Sequence, residues 1–133
     1  MLEDFIESNS LEARVLPYVS EGKKVVCRLF SSEKGDFLAI FFSSDRISKK
    51  KLAKAVGTGE LKAVPFDKVE DETGYLPEYL PPISVYGIRV IIDEKVSNAP
   101  KLRCVVGEEK TLEILPKAIM DSNEDSIVAD ITE

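Results

Sequence analysis

Few residue types in this sequence could perform chemistry, because it has no histidine and only two cysteines. Without imidazole there is no Ser–His or Cys–His nucleophile pair and no histidine general base. Two thiols are also too few for a four-cysteine zinc site. Catalysis must therefore use lysine, carboxylates, hydroxyls, a thiol, backbone amides or groups of the substrate itself. We predict neither a metal nor an organic cofactor.

The two cysteines, Cys27 and Cys104, lie within apolar runs that have the composition of β-strands. Buried cysteines of this kind usually behave as small hydrophobic side chains. In a reducing compartment such thiols remain unpaired. We therefore expect both cysteines to be reduced and to line the protein interior.

The charge distribution argues against duplex nucleic acid as a partner. The net charge is −6, and residues 121–133 form an acidic C-terminal segment without a basic residue, so the rest of the chain is near neutral. A local basic patch lies on one short stretch: Lys49, Lys50, Lys51 and Lys54. Tight, salt-driven binding of DNA is therefore not expected, whereas brief contact with an RNA end is compatible with this pattern.

Length and hydropathy predict one domain over residues 1–133, with enough apolar residues for a single core. No apolar run approaches the ~20 residues that span a bilayer. The first residues, Met-Leu-Glu-Asp, do not have the pattern of a signal peptide. We therefore expect a cytoplasmic protein that does not associate with a membrane.

The elements that would position reactive groups are mostly strands. The clearest helix covers 49–56, with Ser48 as its N-cap and Gly57 as its stop. The β-rich runs 23–32 and 37–43 are joined by a turn sequence that predicts a hairpin. The remaining predicted elements are a short N-terminal helix, an edge strand at 13–19, a helix ending at Gly74, strands at 85–92, 102–106, 111–115 and 126–131, and a short helix beginning at Pro116. This pattern predicts an α+β fold built on a mixed, mostly antiparallel curved sheet with peripheral helices.

One run carries a resemblance to a known family. The lysine-rich helix at Ser48–Gly57 is followed by a short strand, a second helix and Thr73-Gly-Tyr75. This order resembles the YbaK-type domain, also found with prolyl-tRNA synthetases, which hydrolyses mischarged aminoacyl-tRNA. The resemblance continues to Val105-Val-Gly107 and the closing Val128–Ile131, and covers residues 25–131. It implies a YbaK-like fold, in which the curved sheet is a small β-barrel with peripheral helices. It also implies a deacylase that edits aminoacyl-tRNA in trans, and so serves translation fidelity. It also implies the tRNA 3′ end as partner, with a homodimer or a synthetase partner as further options.

The resemblance points to one catalytic position. Family members carry a lysine on the first hairpin strand, and matching Val26–Phe30 to that motif places Cys27 at the lysine. Lys24 lies three residues away, so strand alternation puts it on the opposite face, and Arg28 is displaced in the same way. Both basic residues are then solvated strand residues. We expect Cys27 to line a cleft beside the loop at 75–82, with Cys104 more deeply buried.

Two further motifs supply the implied substrate-binding residues. The family loop G-Y-x-x-G-G-x-x-P corresponds to residues 74–82, where two side chains replace the paired glycines and narrow the pocket. A later V-x-G-G motif corresponds to residues 105–108. The implied binding residues are Gly74, Tyr75, Glu78, Tyr79, Pro82 and Gly107. Structural explanations stay open for three of them: a helix C-cap for Gly74, a packed ring for Tyr75 and a turn for Gly107.

Two main functions remain open from the sequence. The first is an aminoacyl-tRNA deacylase-like protein whose active-site residues depart from the family motifs. The alternative is a catalytically inactive binding module of the same fold, for a charged tRNA end, an amino acid or nucleotide, or a protein partner. The replacement of the family lysine by Cys27, together with Glu78 and Tyr79, is the feature that separates them. A structural or regulatory subunit would use the acidic segment 121–133 as its partner surface.

Overall fold

The computed structural model describes residues 2–133. Over this range the chain forms eight strands and five helices. The strands are β1 (Ala13–Leu16), β2 (Val25–Ser32), β3 (Gly35–Phe42), β4 (Lys62–Ala63), β5 (Arg89–Asp93), β6 (Leu102–Gly107), β7 (Lys110–Ile114) and β8 (Ile127–Ala129). The helices are α1 (Leu2–Ser8), α2 (Lys49–Val56), α3 (Phe66–Thr73), α4 (Glu94–Ser97) and α5 (Pro116–Ser122), and a 3-10 turn covers Pro77–Tyr79.

The two most regular local predictions are confirmed. Ser48 Oγ accepts a hydrogen bond from Lys51 N at 3.2 Å, which caps α2, and Gly57 ends that helix in the left-handed conformation (φ 72°). The hairpin of β2 and β3 pairs every residue from Val25 with Phe42 to Ser32 with Gly35. Gly35 has φ 108°, a conformation that the tight turn requires and that glycine adopts without strain.

The strands form two sheets rather than one. The smaller sheet has the order β1-β7-β6 and is antiparallel, whereas the larger has the order β4-β2-β3-β5-β8, with β5 parallel to β3 and β8. The predicted α+β class, with mostly antiparallel strands and peripheral helices, is confirmed. The sheets do not close into a barrel, because no ladder joins β2 to β6 within residues 2–133.

The position of β3 in the core explains why its sequence is a continuous apolar run. Leu38, Ile40 and Phe42 pack in the cluster between the two sheets. Phe37, Ala39 and Phe41 alternate with them and pack on the opposite face of the larger sheet, where α2 contributes Leu52 and Val56. Because β3 is central and covered on both faces, neither face needs polar residues.

One local prediction is wrong. The strand predicted at 85–92 begins only at Arg89, since Ser84 (φ 66°) and Gly87 (φ 73°) turn the chain before it. Asp93 directly precedes α4, but its side chain makes no capping bond. Instead its Oδ1 accepts a hydrogen bond from Ile131 N at 3.0 Å, which fastens the C-terminal segment to the sheet.

The helices of residues 2–133 are all too short or too polar to cross a lipid bilayer.

Candidate functional site

A cavity of about 640 Å³ lies beside β2, where the two sheets approach each other. We call it the edge cavity. Its walls come from β2, β6, α3, the 3-10 turn and the segments next to them, and are mostly apolar. The lining residues are Val19, Lys24, Val25, Val26, Cys27, Arg28, Leu29, Ser43, Ala63, Val64, Phe66, Val69, Pro77, Glu78, Leu80, Cys104 and Val105.

The cavity follows a strand edge that lacks a ladder partner. Along the outer edge of β2, pairing with β4 is confined to Phe30 and Ser31 in the described chain. Lys24 O accepts from Ser43 N (2.8 Å), so even-numbered residues direct their backbone groups toward β3. Leu29 O accepts from Val64 N (2.9 Å), so odd-numbered residues direct theirs outward. By this alternation, the backbone N–H and C=O groups of Val25 and Cys27 face the cavity.

Cys27 and Cys104 meet within the edge cavity from different sheets. Both thiols are free and buried, at 7% and 2% exposure. Burial, and then the neighbouring Cys104 thiol, raise the pKa of Cys27 well above its usual value. Cys27 is therefore a thiol at neutral pH and a weak nucleophile. In the part of the chain that is described, no three cysteine or carboxylate side chains converge to hold a metal ion.

Three charged residues lie at the border of the cavity: Lys24, Arg28 and Glu78. The predicted alternation along β2 holds: Cys27 packs in the cluster between the two sheets, whereas Val26 and Phe30 pack on the opposite face. Lys24 and Arg28 nevertheless line the edge cavity, which follows the free edge of this strand. Lys24 Nζ donates to Gly22 O at 2.9 Å. Among residues 2–133, neither Arg28 nor Glu78 has an ion-pair partner.

Of the predicted loop residues, Glu78 lines the edge cavity, while Gly74, Tyr75, Tyr79 and Pro82 do not. Gly74 is the C-cap of α3, with φ 82° and its N–H donating to Glu70 O at 2.8 Å. The half-buried Tyr75 donates its hydroxyl to Ser84 Oγ at 3.0 Å, and burial raises its pKa.

The other two loop residues also have structural contacts. Tyr79 N–H donates to Leu76 O at 3.0 Å within the 3-10 turn, and Asn123 Nδ2 donates to Pro82 O at 3.3 Å. These four residues shape the loop that presents Glu78.

Gly107 lies away from the edge cavity, at the turn between β6 and β7. The ladder has a register shift between Val105 and Gly107. A Cβ atom on Gly107 would lie 3.3 Å from the Lys110 side chain. The close approach of two strands therefore explains this glycine, as the structural alternative proposed.

Sequence reasoning missed one conspicuous lining residue, Phe66. The spacing of Phe66 and Val69 indicated a helix, and α3 forms there with Val69 buried. Phe66, however, is 70% exposed at the cavity border. An apolar residue at a helix start is usually assigned to the core, so its position could not be separated from packing without the structure.

Several solved structures share the fold. A hypothetical protein is 19% identical, with a TM-score of 0.87 and 99% of both chains covered. A proposed trans-editing enzyme for prolyl-tRNA synthetase is 19% identical, with a TM-score of 0.85, 99% of this chain and 94% of that chain covered. A proposed signal-transduction protein from Marinobacter aquaeolei VT8 is 17% identical, with a TM-score of 0.79, 98% of this chain and 30% of that chain covered. At these identities the likeness establishes the fold alone.

No curated protein matches the sequence significantly. The profile of the aminoacyl-tRNA editing domain matches residues 12–121, a range that contains every wall of the edge cavity. It also contains the run from Ser48 to Tyr75 that carried the resemblance. Because the match covers most of the 133 residues, the chain belongs to the aminoacyl-tRNA editing domain family.

Proposed function

We propose that this protein hydrolyses the ester of mischarged aminoacyl-tRNA, with the edge cavity as its active site. The observation that carries the proposal is an apolar cavity bordered by a strand edge with unpaired backbone groups. Its volume of about 640 Å³ suits a small ligand, since such sites measure roughly 300–1,000 Å³. Family membership supports the same reaction class.

The walls suit an aminoacyl group. Apolar side chains such as Leu29, Val64 and Leu80 surround the space for the amino acid side chain. Glu78 is the sole carboxylate among the described lining residues. An aminoacyl ester carries an α-ammonium group, and Glu78 is the group that pairs with it. The residue that departs from the family glycine thereby gains a binding role.

The chemistry needs little from side chains because an aminoacyl ester is already activated. The outward N–H of Cys27 donates to the ester carbonyl and stabilises the oxyanion that forms when water attacks. The bond between the carbonyl carbon and the ribose oxygen then breaks, giving a free amino acid and a tRNA with its hydroxyl restored. The neighbouring ribose hydroxyl assists by orienting the water.

Cys27 occupies the family lysine position and serves in this scheme as cavity wall and backbone donor. Its raised pKa argues against a thiolate nucleophile. The missing cation removes one charged hydrogen bond, a contribution of roughly 1.5–3 kcal/mol. We therefore expect turnover about ten- to a hundredfold slower than in relatives that retain the lysine.

A binding module is the second candidate. Cys27 is a neutral thiol and Glu78 lines the cavity, at two positions where the family resemblance implies a lysine and a glycine. Both differences favour a binding module. Such a protein would hold a charged tRNA end without hydrolysing it. A synthetase or a second copy of the chain stays a predicted partner under either function, and cytoplasmic localisation stays a prediction.

A panel of mischarged tRNAs tests the two candidates. Single-turnover ester loss is measured with the protein in excess, beside the uncatalysed rate in buffer, and binding is measured on the same substrates. The proposal expects loss above the buffer rate for at least one amino acid. Saturable binding with ester loss at the buffer rate would instead establish the binding module.

A further inference from the structure

The exposed ring of Phe66 is the feature from which a further inference starts. Phe66 is the first residue of α3 and lines the edge cavity, while 70% of it is exposed. Val69, one turn later on the same wall, is 3% exposed and anchors the helix in the core. The ring is therefore held at the cavity border by a fixed helix, with its surface available to a ligand.

The charge at this border is opposite in sign to that of the whole protein. The net charge is −6, yet the charged residues that line the edge cavity are two bases, Lys24 and Arg28, and one acid, Glu78. Arg28 is exposed and has no ion-pair partner in residues 2–133. A ligand phosphate therefore does not have to displace a carboxylate of the protein in order to bind this guanidinium.

An exposed aromatic ring that lines the same cavity as an exposed guanidinium without an ion-pair partner is complementary to a single-stranded nucleotide. Every base has a π-face that stacks on aromatic side chains, and basic residues follow the phosphates. We propose that Phe66 stacks on the 3′-terminal nucleobase of the tRNA, with Arg28 binding the adjacent phosphate. This inference rests on the proposed function, because an aminoacyl group inside the cavity leaves its ribose and base at the border.

The absence of tryptophan from the chain provides a direct readout. Phe66→Trp introduces a single indole, whose fluorescence falls when a base stacks on it. The probe is a single-stranded RNA ending in CCA, and the comparison is the same RNA with an abasic 3′ residue. We expect saturable quenching by the first RNA and at least several-fold weaker quenching by the second.

Tyr86→Trp is the matched control. Tyr86 is an aromatic residue with similar exposure, 76%, that does not line the edge cavity in the described structure. We expect the indole at 86 to be unaffected by either RNA. Equal quenching at both positions, or no quenching at 66, would overturn the stacking proposal.

The phosphate contact has a separate signature. Each phosphate bound by a basic residue adds about −0.7 to the slope of log affinity against log salt for a single strand. Arg28→Gln should reduce the magnitude of that slope by this amount and leave the quenching at saturation intact. An unchanged slope would refute the role of Arg28.

Deacylation by further variants separates this inference from the proposed function. Phe66→Ala should raise the half-saturating concentration of aminoacyl-tRNA about tenfold with an unchanged maximal rate, whereas Phe66→Tyr should behave as the natural protein. Identical kinetics in all three proteins would overturn the stacking proposal and leave the hydrolase intact. Quenching at 66 without any deacylation would overturn the hydrolase and support the stacking site.

Discussion

Introducing a lysine at position 27, where the family resemblance implies one, is the perturbation that examines the site most closely. Cys27 lines the edge cavity and carries the backbone N–H proposed to stabilise the oxyanion. In Cys27→Lys, an aliphatic stem replaces the thiol along the apolar wall, and the ammonium reaches toward the cavity border, where Glu78 lies. The variant places a cation near the reacting ester while the strand and its backbone donor are kept.

The magnitude follows from one charged hydrogen bond to the developing oxyanion. Such a bond contributes about 1.5–3 kcal/mol, which corresponds to roughly a ten- to hundredfold increase in rate. Burial opposes this gain. The position is 7% exposed and touches Cys104, so desolvation lowers the pKa of the new ammonium and reduces stability. The rate increase should therefore be present at neutral pH and disappear as pH rises through that lowered pKa.

The assay is single-turnover deacylation across pH, with Cys27→Met as the matched control. Methionine has similar length and no charge, so it reports the effect of filling the cavity alone. Thermal unfolding establishes that both variants are folded. A folded Cys27→Lys with a rate no higher than that of Cys27→Met would refute the assignment of Cys27 to the lysine position.

Three further predictions concern stability and thiol chemistry. Burial predicts slow alkylation of both thiols in the folded protein, with Cys104 slower, and alkylation kinetics check this. The raised pKa of Cys27 predicts stability that declines above pH ~8.5, because the thiol ionises first in the unfolded chain; alkaline melting curves check this. Burial raises the pKa of Glu113, but the hydrogen bond from Arg14 and the neighbouring basic charges together outweigh it, so the pKa is lowered overall. The stability that this pair provides is therefore present above pH ~4.3 and is lost as pH falls through the folded pKa. Glu113→Gln should reduce the fall in melting temperature at acid pH. Gly74→Ala should destabilise the fold by about 1 kcal/mol in denaturant titrations, because φ is 82°, and leave ligand binding unchanged.

Much of the fold could be predicted from local signals. The cap at Ser48, the stop at Gly57 and the turn before Gly35 each depend on a few neighbouring residues, and the structure has all three. The division into two sheets could not be predicted in this way. It depends on which long-range ladders form, such as the short one in which β2 pairs with β4 at Phe30 and Ser31.

The site was predictable only where a motif corresponded to a wall of the cavity. Cys27 and Glu78 line it, as the aligned motifs suggested, but Gly74 and Gly107 match the motifs through structural roles. Strand alternation correctly separated Arg28 from Cys27, but it did not show that Arg28 also lines the cavity, because the cavity follows the free edge of β2. The free edge of β2 depends on which ladders the other strands form, so the sequence of β2 alone does not show it.

Blocking the edge cavity tests the central claim most directly. Ala63 is exposed and lines the cavity, whereas the neighbouring exposed Lys62 does not. Single-turnover deacylation of the most rapidly hydrolysed mischarged tRNA is compared for the natural protein, Ala63→Trp and Lys62→Trp. The account predicts loss of hydrolysis in Ala63→Trp and natural rates in Lys62→Trp. Undiminished hydrolysis by a folded Ala63→Trp would place the chemistry outside the edge cavity and contradict the account.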